Sequence, residues 1–166
     1  MYKLMGAVII MLSFVMFGLA KCASVKKRLR NLKEFRNMIS ALRTEISFKA
    51  TPLKRAAEII GEKFSNECFM EFSKLIEKLG GQRAFEEALS SFSSKYSFTA
   101  RDQGCILLMA EGIGRTDRES QVKQLDHAIC ELDKIIDEAT AESADKTRGY
   151  LNGSVLIGAF AVLMLM

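Results

Sequence analysis

A chain that does chemistry must bring together a nucleophile, a base and a shaped cleft, and this one is short of all three. His127 is its only histidine and falls in the middle of a predicted helix. Cys22, Cys68, Cys105 and Cys130 stand 46, 37 and 25 residues apart. With no C-x-x-C pair, neither a zinc site nor a disulfide framework is expected, and reduced thiols are the default. No glycine-rich loop ends in Gly-Lys-Ser or Gly-Lys-Thr to cradle phosphate, and H-E-x-x-H and G-x-S-x-G are both absent. Asp133 and Asp137 are four apart, the spacing of two like charges on a solvated helix face. The expectation is a protein that is not an enzyme, with no catalytic residue, metal ligand or cofactor.

Two stretches are more specific than generic helical sequence. One is Glu45-Ile46-x4-Thr51-Pro52-Leu53-x2-Ala56, the other Gly112-x-Gly114-x2-Asp117-Arg118-x-Ser120-Gln121. A helix stop followed by a helix cap accounts for Thr51, Pro52, Gly114, Thr116 and Asp117: threonine is a good N-cap and proline suits the first helical position. Capping does not require Glu45, Arg118 or Gln121. Arg118 is therefore expected to pair with a carboxylate, either Glu45 within the fold or an acidic residue on a partner. Otherwise both motifs serve only to set geometry.

The elements that carry these motifs are helices, because apolar residues recur at steps of three and four and no stretch alternates in the manner of a strand. Leu29, Leu32, Phe35, Ile39, Leu42 and Ile46 line one face of a helix reaching about Lys49. A second starts at Thr51-Pro52, buries Leu53, Ala56, Ala57 and Ile60, and stops between Gly61 and Phe64. Asn66 caps a third, with Phe69, Phe72, Leu75, Ile76 and Leu79 inside, ended by Gly80-Gly81. Phe85, Ala88, Leu89 and Phe92 mark a fourth, and Ser93 to Ser97 read as a loop. Thr99 caps a fifth, packed through Cys105, Leu108, Met109 and Ile113 and broken by Gly112 and Gly114. Thr116 to Glu119 fit a capping box before a sixth, packed through Val122, Leu125, Ile129, Leu132 and Ile136. Short connections between six helices predict an all-α, antiparallel bundle.

Everything charged in the middle is closed off by two uncharged apolar runs, Leu4–Ala20 and Tyr150–Met166, each of 17 residues. As helices at ~1.5 Å per residue they cover about 26 Å, at the short end of what spans a hydrocarbon core. Gly18-Leu19-Ala20 would suit a signal-peptide cleavage site, but the flank that follows argues against export. Lys21, Lys26, Lys27, Arg28, Arg30, Lys33 and Arg36 are opposed only by Glu34, and such a flank stays in the cytoplasm. Lys146 and Arg148 lie just before the second run, which has no polar residue from Val155 onward, unlike a core helix with a polar face. Transmembrane helices are thus expected at 4–20 and 150–166, flanking a cytoplasmic bundle over 22–148. The formal charge of +4 is concentrated after the first run, where anionic lipid explains it. No basic stripe with interleaved aromatics calls for nucleic acid.

With Leu42-x2-Glu45-Ile46, Thr51-Pro52-Leu53 and the turn Gly114-x2-Asp117-Arg118-x-Ser120-Gln121 in this order between two anchors, the chain resembles the stage III sporulation protein AB family of endospore-forming bacteria. The resemblance covers essentially the whole chain, although 64–100 carries no matching motif. It implies an all-α domain similar to the cytoplasmic domains of the inner-membrane platform protein of type II secretion and type IV pilus systems. It further implies a platform for the channel-like complex linking mother cell and forespore, in the mother-cell membrane around the forespore. The companion secretion-type ATPase, stage III sporulation protein AA, and the other subunits of the same complex would be its partners, besides membrane lipid. Glu45, Thr51, Pro52, Leu53, Gly112, Gly114, Asp117, Arg118, Ser120 and Gln121 would be its assembly or family-motif residues. The sequence leaves room for a homo-oligomer. A second class of function stays open: a membrane-anchored helical sensor or regulatory bundle binding a small ligand or a client.

Overall fold

A computed structural model describes residues 2–111, 113–114 and 117–165, with side-chain surroundings for Gly6, 12–111 and most of 113–160. Among the described residues it is all-helical, with α1 Tyr2–Lys49, α2 Leu53–Lys63, α3 Glu67–Leu79, α4 Gly81–Tyr96, α5 Ala100–Leu108 and α6 Arg118–Leu165. The chain divides into two compact units, Arg30–Asp137 and the pair Met1–Leu29 with Glu138–Met166.

The first unit is the expected antiparallel bundle. On α1, Leu32, Phe35, Met38, Ile39, Leu42 and Ile46 are buried, and on α6 Leu125, Ala128, Leu132, Ile135 and Ile136. Phe35 holds the centre. Its ring lies 5.6 Å from Phe69, 6.4 Å from Phe85, 5.9 Å from Tyr96 and 5.7 Å from Phe98 between centroids. Phe72 meets Phe85 edge-on at 5.2 Å. These tilted and edge-to-face contacts suit the ring quadrupoles, so the motif-free stretch 64–100 supplies most of the aromatic core.

Several local expectations change in detail. Thr51 does not cap α2. Pro52 is the N-cap, with φ −56° and ψ 143° and no side-chain cap bond. Proline restricts φ but leaves ψ free, so Pro52 stays extended and the helix begins at Leu53. Thr51 folds back instead, its N–H donating to the Glu45 carbonyl at 3.3 Å and its hydroxyl to Glu45 Oε2 at 3.4 Å. Asn66 does cap α3, its Oδ1 accepting the Phe69 N–H at 3.2 Å. Leu79, expected inside, is the last residue of α3 and 43% exposed, just before the chain turns at Gly80, φ +76°. Ser93 to Tyr96 are not a loop but the end of α4. The Ser90 and Ser93 hydroxyls donate back to the Glu87 and Ser90 carbonyls, which satisfies them inside a helix. Tyr96 is drawn in, stacked on Phe98 at 5.2 Å.

Thr99 caps α5 and forms a reciprocal capping box with Asp102. Leu108, expected inside, is 41% exposed, because Cys105, Ile106 and Met109 define the buried face and Leu108 falls on the other side of it. The expected box starting at Thr116 lies outside the described residues, as does Gly112. At the start of α6 the Asp117 carboxylate takes the cap role, accepting the Ser120 N–H at 3.2 Å and the Ser120 hydroxyl at 2.7 Å.

In the second unit, α1 and α6 approach closely at Gly18. A Cβ there would lie 2.5 Å from Ser154 Oγ and 3.2 Å from the Tyr150 carbonyl oxygen. Phe14, Phe17, Gly18, Gly149, Tyr150, Gly153, Ser154 and Ile157 line an apolar pocket of ≈ 190 Å³. Among the described residues no helix is long and apolar enough to cross a membrane. The expected anchors at 4–20 and 150–166 fall in large part on side chains outside the described ones.

Candidate functional site

Within Arg30–Asp137 the two polar motifs are far apart in sequence, and two ion pairs show how they meet. Arg36 pairs with Asp133 and Arg43 with Asp126, each at 2.9 Å. The pairs are seven residues apart on both helices, two turns, so α1 and α6 run antiparallel in constant register. That register brings Phe48, next to the end of α1, level with Gln121 near the start of α6. The Lys54–Glu77 pair at 2.7 Å ties the start of α2 to the end of α3 at the same end of the bundle.

Three residues meet at that end. Gly114 has φ +79°, a conformation side chains rarely tolerate. A Cβ on it would touch Leu53 Cδ2 and Gly81 Cα, both at 3.4 Å. Gly81 opens α4 directly against the 113–114 turn, and a Cβ on Gly81 would run into the Ile113 carbonyl. Leu53 and Gly114, one from each motif, are thus in the same packed contact. Gly81 belongs with them and was legible only as a helix stop. Its signal was the Gly80-Gly81 pair, which ends one helix and lets the next start without a spacer.

The polar motif residues are arranged differently from expectation. Glu45 is largely covered and faces its own helix end, accepting from Lys49 Nζ at 2.7 Å and from Thr51. It does not meet Arg118, which is exposed and has no ion-pair partner among the described residues. The bonds from Ser120 hold the Asp117 carboxyl below its usual range. Gln121 is half-buried, with its N–H on the Asp117 carbonyl at 3.0 Å. Pro52 is exposed.

Comparison with known proteins decides what kind of chain this is. The family described as Stage III sporulation protein AB matches residues 3–166. The chain belongs to the stage III sporulation protein AB family. Stage III sporulation protein AB of Bacillus subtilis (strain 168) is 27% identical over 169 residues, covering 95% of this chain and 98% of the relative. A solved structure of a stage III sporulation protein AB has a TM-score of 0.65 at 23% identity, covering 71% of this chain and 97% of that one. It shares the helical fold.

The other side chains of interest in this AB-family protein are the four thiols, Tyr96 and His127. Cys22, Cys68 and Cys105 are buried thiols outside any disulfide, and Cys130 is exposed. Burial pushes the Cys68 thiol up to about 12 and the Cys105 thiol up to about 11, so the nucleophilic thiolate is suppressed. Burial likewise raises the Tyr96 hydroxyl to about 12; it donates to Asn66 Oδ1 at 3.1 Å. Among the described residues no group of three or more His, Cys, Asp or Glu side chains could hold a metal ion. His127 is exposed. At one end of the bundle Leu53, Gly81 and Gly114 pack together, and Pro52, Arg118 and Gln121 belong to the same two motifs.

Proposed function

We propose that this AB-family protein is a non-enzymatic membrane platform of a sporulation complex between mother cell and forespore. Its helical bundle docks a cytoplasmic secretion-type ATPase, stage III sporulation protein AA. Residues 4–20 and 150–166 anchor it in the mother-cell membrane around the forespore, and 22–148 lie in the cytoplasm.

One observation carries the membrane part of this reading. Leu12, Met16, Phe17 and Leu19 on one side, and Leu156, Ile157 and Phe160 on the other, are 49–70% exposed. Large apolar side chains gathered in this way need a cover, and lipid is the cover that the basic flank at 21–36 suits. The motor part follows the family resemblance, and a sequence without a phosphate-loop motif suits a protein that relies on another for energy. Arg118 and Gln121 then belong to assembly, and Leu53 and Gly114 to the geometry beneath them.

Two measurements test it. Cys130 is exposed, so an impermeant maleimide added to intact cells should leave it unlabelled until the membrane is opened. Labelling at once, with cytoplasmic control thiols protected, removes the topology. The detergent-solubilised full-length chain should retain the purified ATPase on a column. Failure to do so at micromolar protein removes the motor.

A further inference from the structure

In the unit made of Met1–Leu29 and Glu138–Met166, α1 and α6 are pressed together at Gly18 and part beside Gly149 and Gly153. A Cβ on Gly18 would lie 2.5 Å from Ser154 Oγ, whereas one on Gly149 or Gly153 would meet nothing within 4 Å among the described residues. The side chains missing from Gly149 and Gly153 leave the apolar groove of ≈ 190 Å³, walled by Phe14 and Phe17 of α1 and by Ile157 of α6. Phe17 and Ile157 are also exposed, so the groove opens to whatever surrounds the two apolar runs.

One mouth of the groove is basic. Lys21 is exposed and lies one helical turn beyond Phe17, its Nζ held over the Phe17 ring at 5.5 Å from the centroid. The stretches that build the groove, 1–33 and 146–166, contain no acid at all. With every acid of the unit counted as charged, 21–29 and 138–149 still carry Lys21, Lys26, Lys27, Arg28, Lys146 and Arg148 against Glu138, Glu142 and Asp145. Six bases against three acids leave an excess of three positive charges. Tyr150 lines the groove beside this mouth, and tyrosine suits the boundary between hydrocarbon and water.

We propose that this groove seats one acyl chain of an anionic phospholipid, with the lipid phosphate on Lys21. The proposal rests on the membrane-anchored reading and names, within that anchor, one lipid class and its seat. A groove of ≈ 190 Å³ takes the end of a hydrocarbon chain but not a helix, which is about 10 Å across. The charge excess selects among lipids, since each cation near the surface favours an anionic headgroup about fivefold. It also selects against a second copy of this chain, which would set another three surplus cations beside these.

The test uses the full-length chain in nanodiscs of phosphatidylcholine doped with phosphatidylglycerol that carries a diazirine in one acyl chain. After irradiation and digestion, adducts should concentrate on 14–18 and 149–157. The same label on phosphatidylcholine should spread over the exposed apolar side chains of both runs. Gly153→Phe, whose ring would fill the groove, should lose the concentrated adducts. Lys21→Ala should lower their yield about fivefold, while Lys78→Ala, exposed in the other unit, should leave it unchanged. Lys21 is exposed, so Lys21→Ala reads the site even if Gly153→Phe fails to fold. Phosphatidylglycerol adducts spread as evenly as those of phosphatidylcholine, or a Lys21→Ala yield equal to wild type, overturn the proposal while the anchored reading survives. A groove that neither lipid labels, in nanodiscs holding two copies, overturns it in favour of a second copy. A chain that stays in the aqueous fraction when vesicles of the two lipids are floated removes the anchored reading and this site together.

Discussion

Arg36 grips Asp133 with both prongs of its guanidinium, Nε to Oδ1 and Nη2 to Oδ2, each at 2.9 Å across 97 residues of chain. The hydrogen bonds that it donates to Asp133 are the main reason the Arg36 guanidinium is held above its ordinary value. Two turns along, Arg43 repeats the arrangement with Asp126 at 2.9 and 3.1 Å. The pairs are partly exposed, 33% and 46% for Arg36 and Asp133, where an ion pair contributes on the order of 0–1 kcal/mol. Their role is therefore to set the register of α1 against α6 more than to hold the helices together.

A double-mutant cycle over Arg36→Ala and Asp133→Ala should give a coupling of roughly 0.5–1 kcal/mol that shrinks in high salt. Chemical denaturation of the four proteins measures it. A coupling well above ~2 kcal/mol would mean that the pair is a main support of the fold.

Phe85 is fully buried and meets Phe35, Phe69 and Phe72. Phe85→Ala should cost about 3–5 kcal/mol as lost burial plus a cavity. Thermal unfolding followed by circular dichroism reads this directly, and a loss below ~1 kcal/mol would contradict the packing described.

Two glycines should respond in opposite directions. Gly104 lies within α5, and a Cβ there meets nothing within 4 Å. Gly104→Ala should stabilise by up to about 1 kcal/mol through helix propensity. Gly81→Ala should destabilise, since its methyl would strike the Ile113 backbone carbonyl. Equal shifts in melting temperature would show that the 113–114 turn does not press on α4.

Caps give a second contrast. Thr99 accepts the Asp102 N–H at 3.2 Å in a capping box, so Thr99→Ala should cost about 1 kcal/mol. Thr51 caps nothing, and Thr51→Ala should cost no more than ~0.5 kcal/mol. A larger loss at Thr51 than at Thr99 would restore Thr51 as a cap.

The thiols predict a response to alkali. The folded value of Cys68 is about 12, raised by burial, against roughly 8.5 in an unfolded chain. The folded state therefore keeps a proton that the unfolded state gives up, and stability falls as pH rises from about 8.5 toward 12. Denaturant midpoints measured upward from pH 8 should show this decline, weaker in Cys68→Ser at matched starting stability. At neutral pH iodoacetamide should modify Cys130 quickly and Cys68 and Cys105 slowly. Rapid modification of Cys68 in the folded protein would refute its burial.

The helices were legible because their signal is local. Leu32, Phe35, Ile39, Leu42 and Ile46 announce α1 by spacing alone, and Asn66 and Thr99 announce their caps because a cap bond spans only three residues. The apolar ends and the motif residues were equally plain. Other features turned on partners distant in the chain. Ser93 to Tyr96 read as a loop by composition and became helix because the Tyr96 ring is needed beside Phe35, 61 residues away. Arg118 was expected on Glu45 or on an acidic residue of a partner, and Glu45 is instead engaged by Lys49 and Thr51 at its own helix end. The meeting of Leu53, Gly81 and Gly114 could not be read from any window of sequence. Periodicity tells which side of a helix is apolar, and only the packed bundle decides which side chain of another helix stands against it.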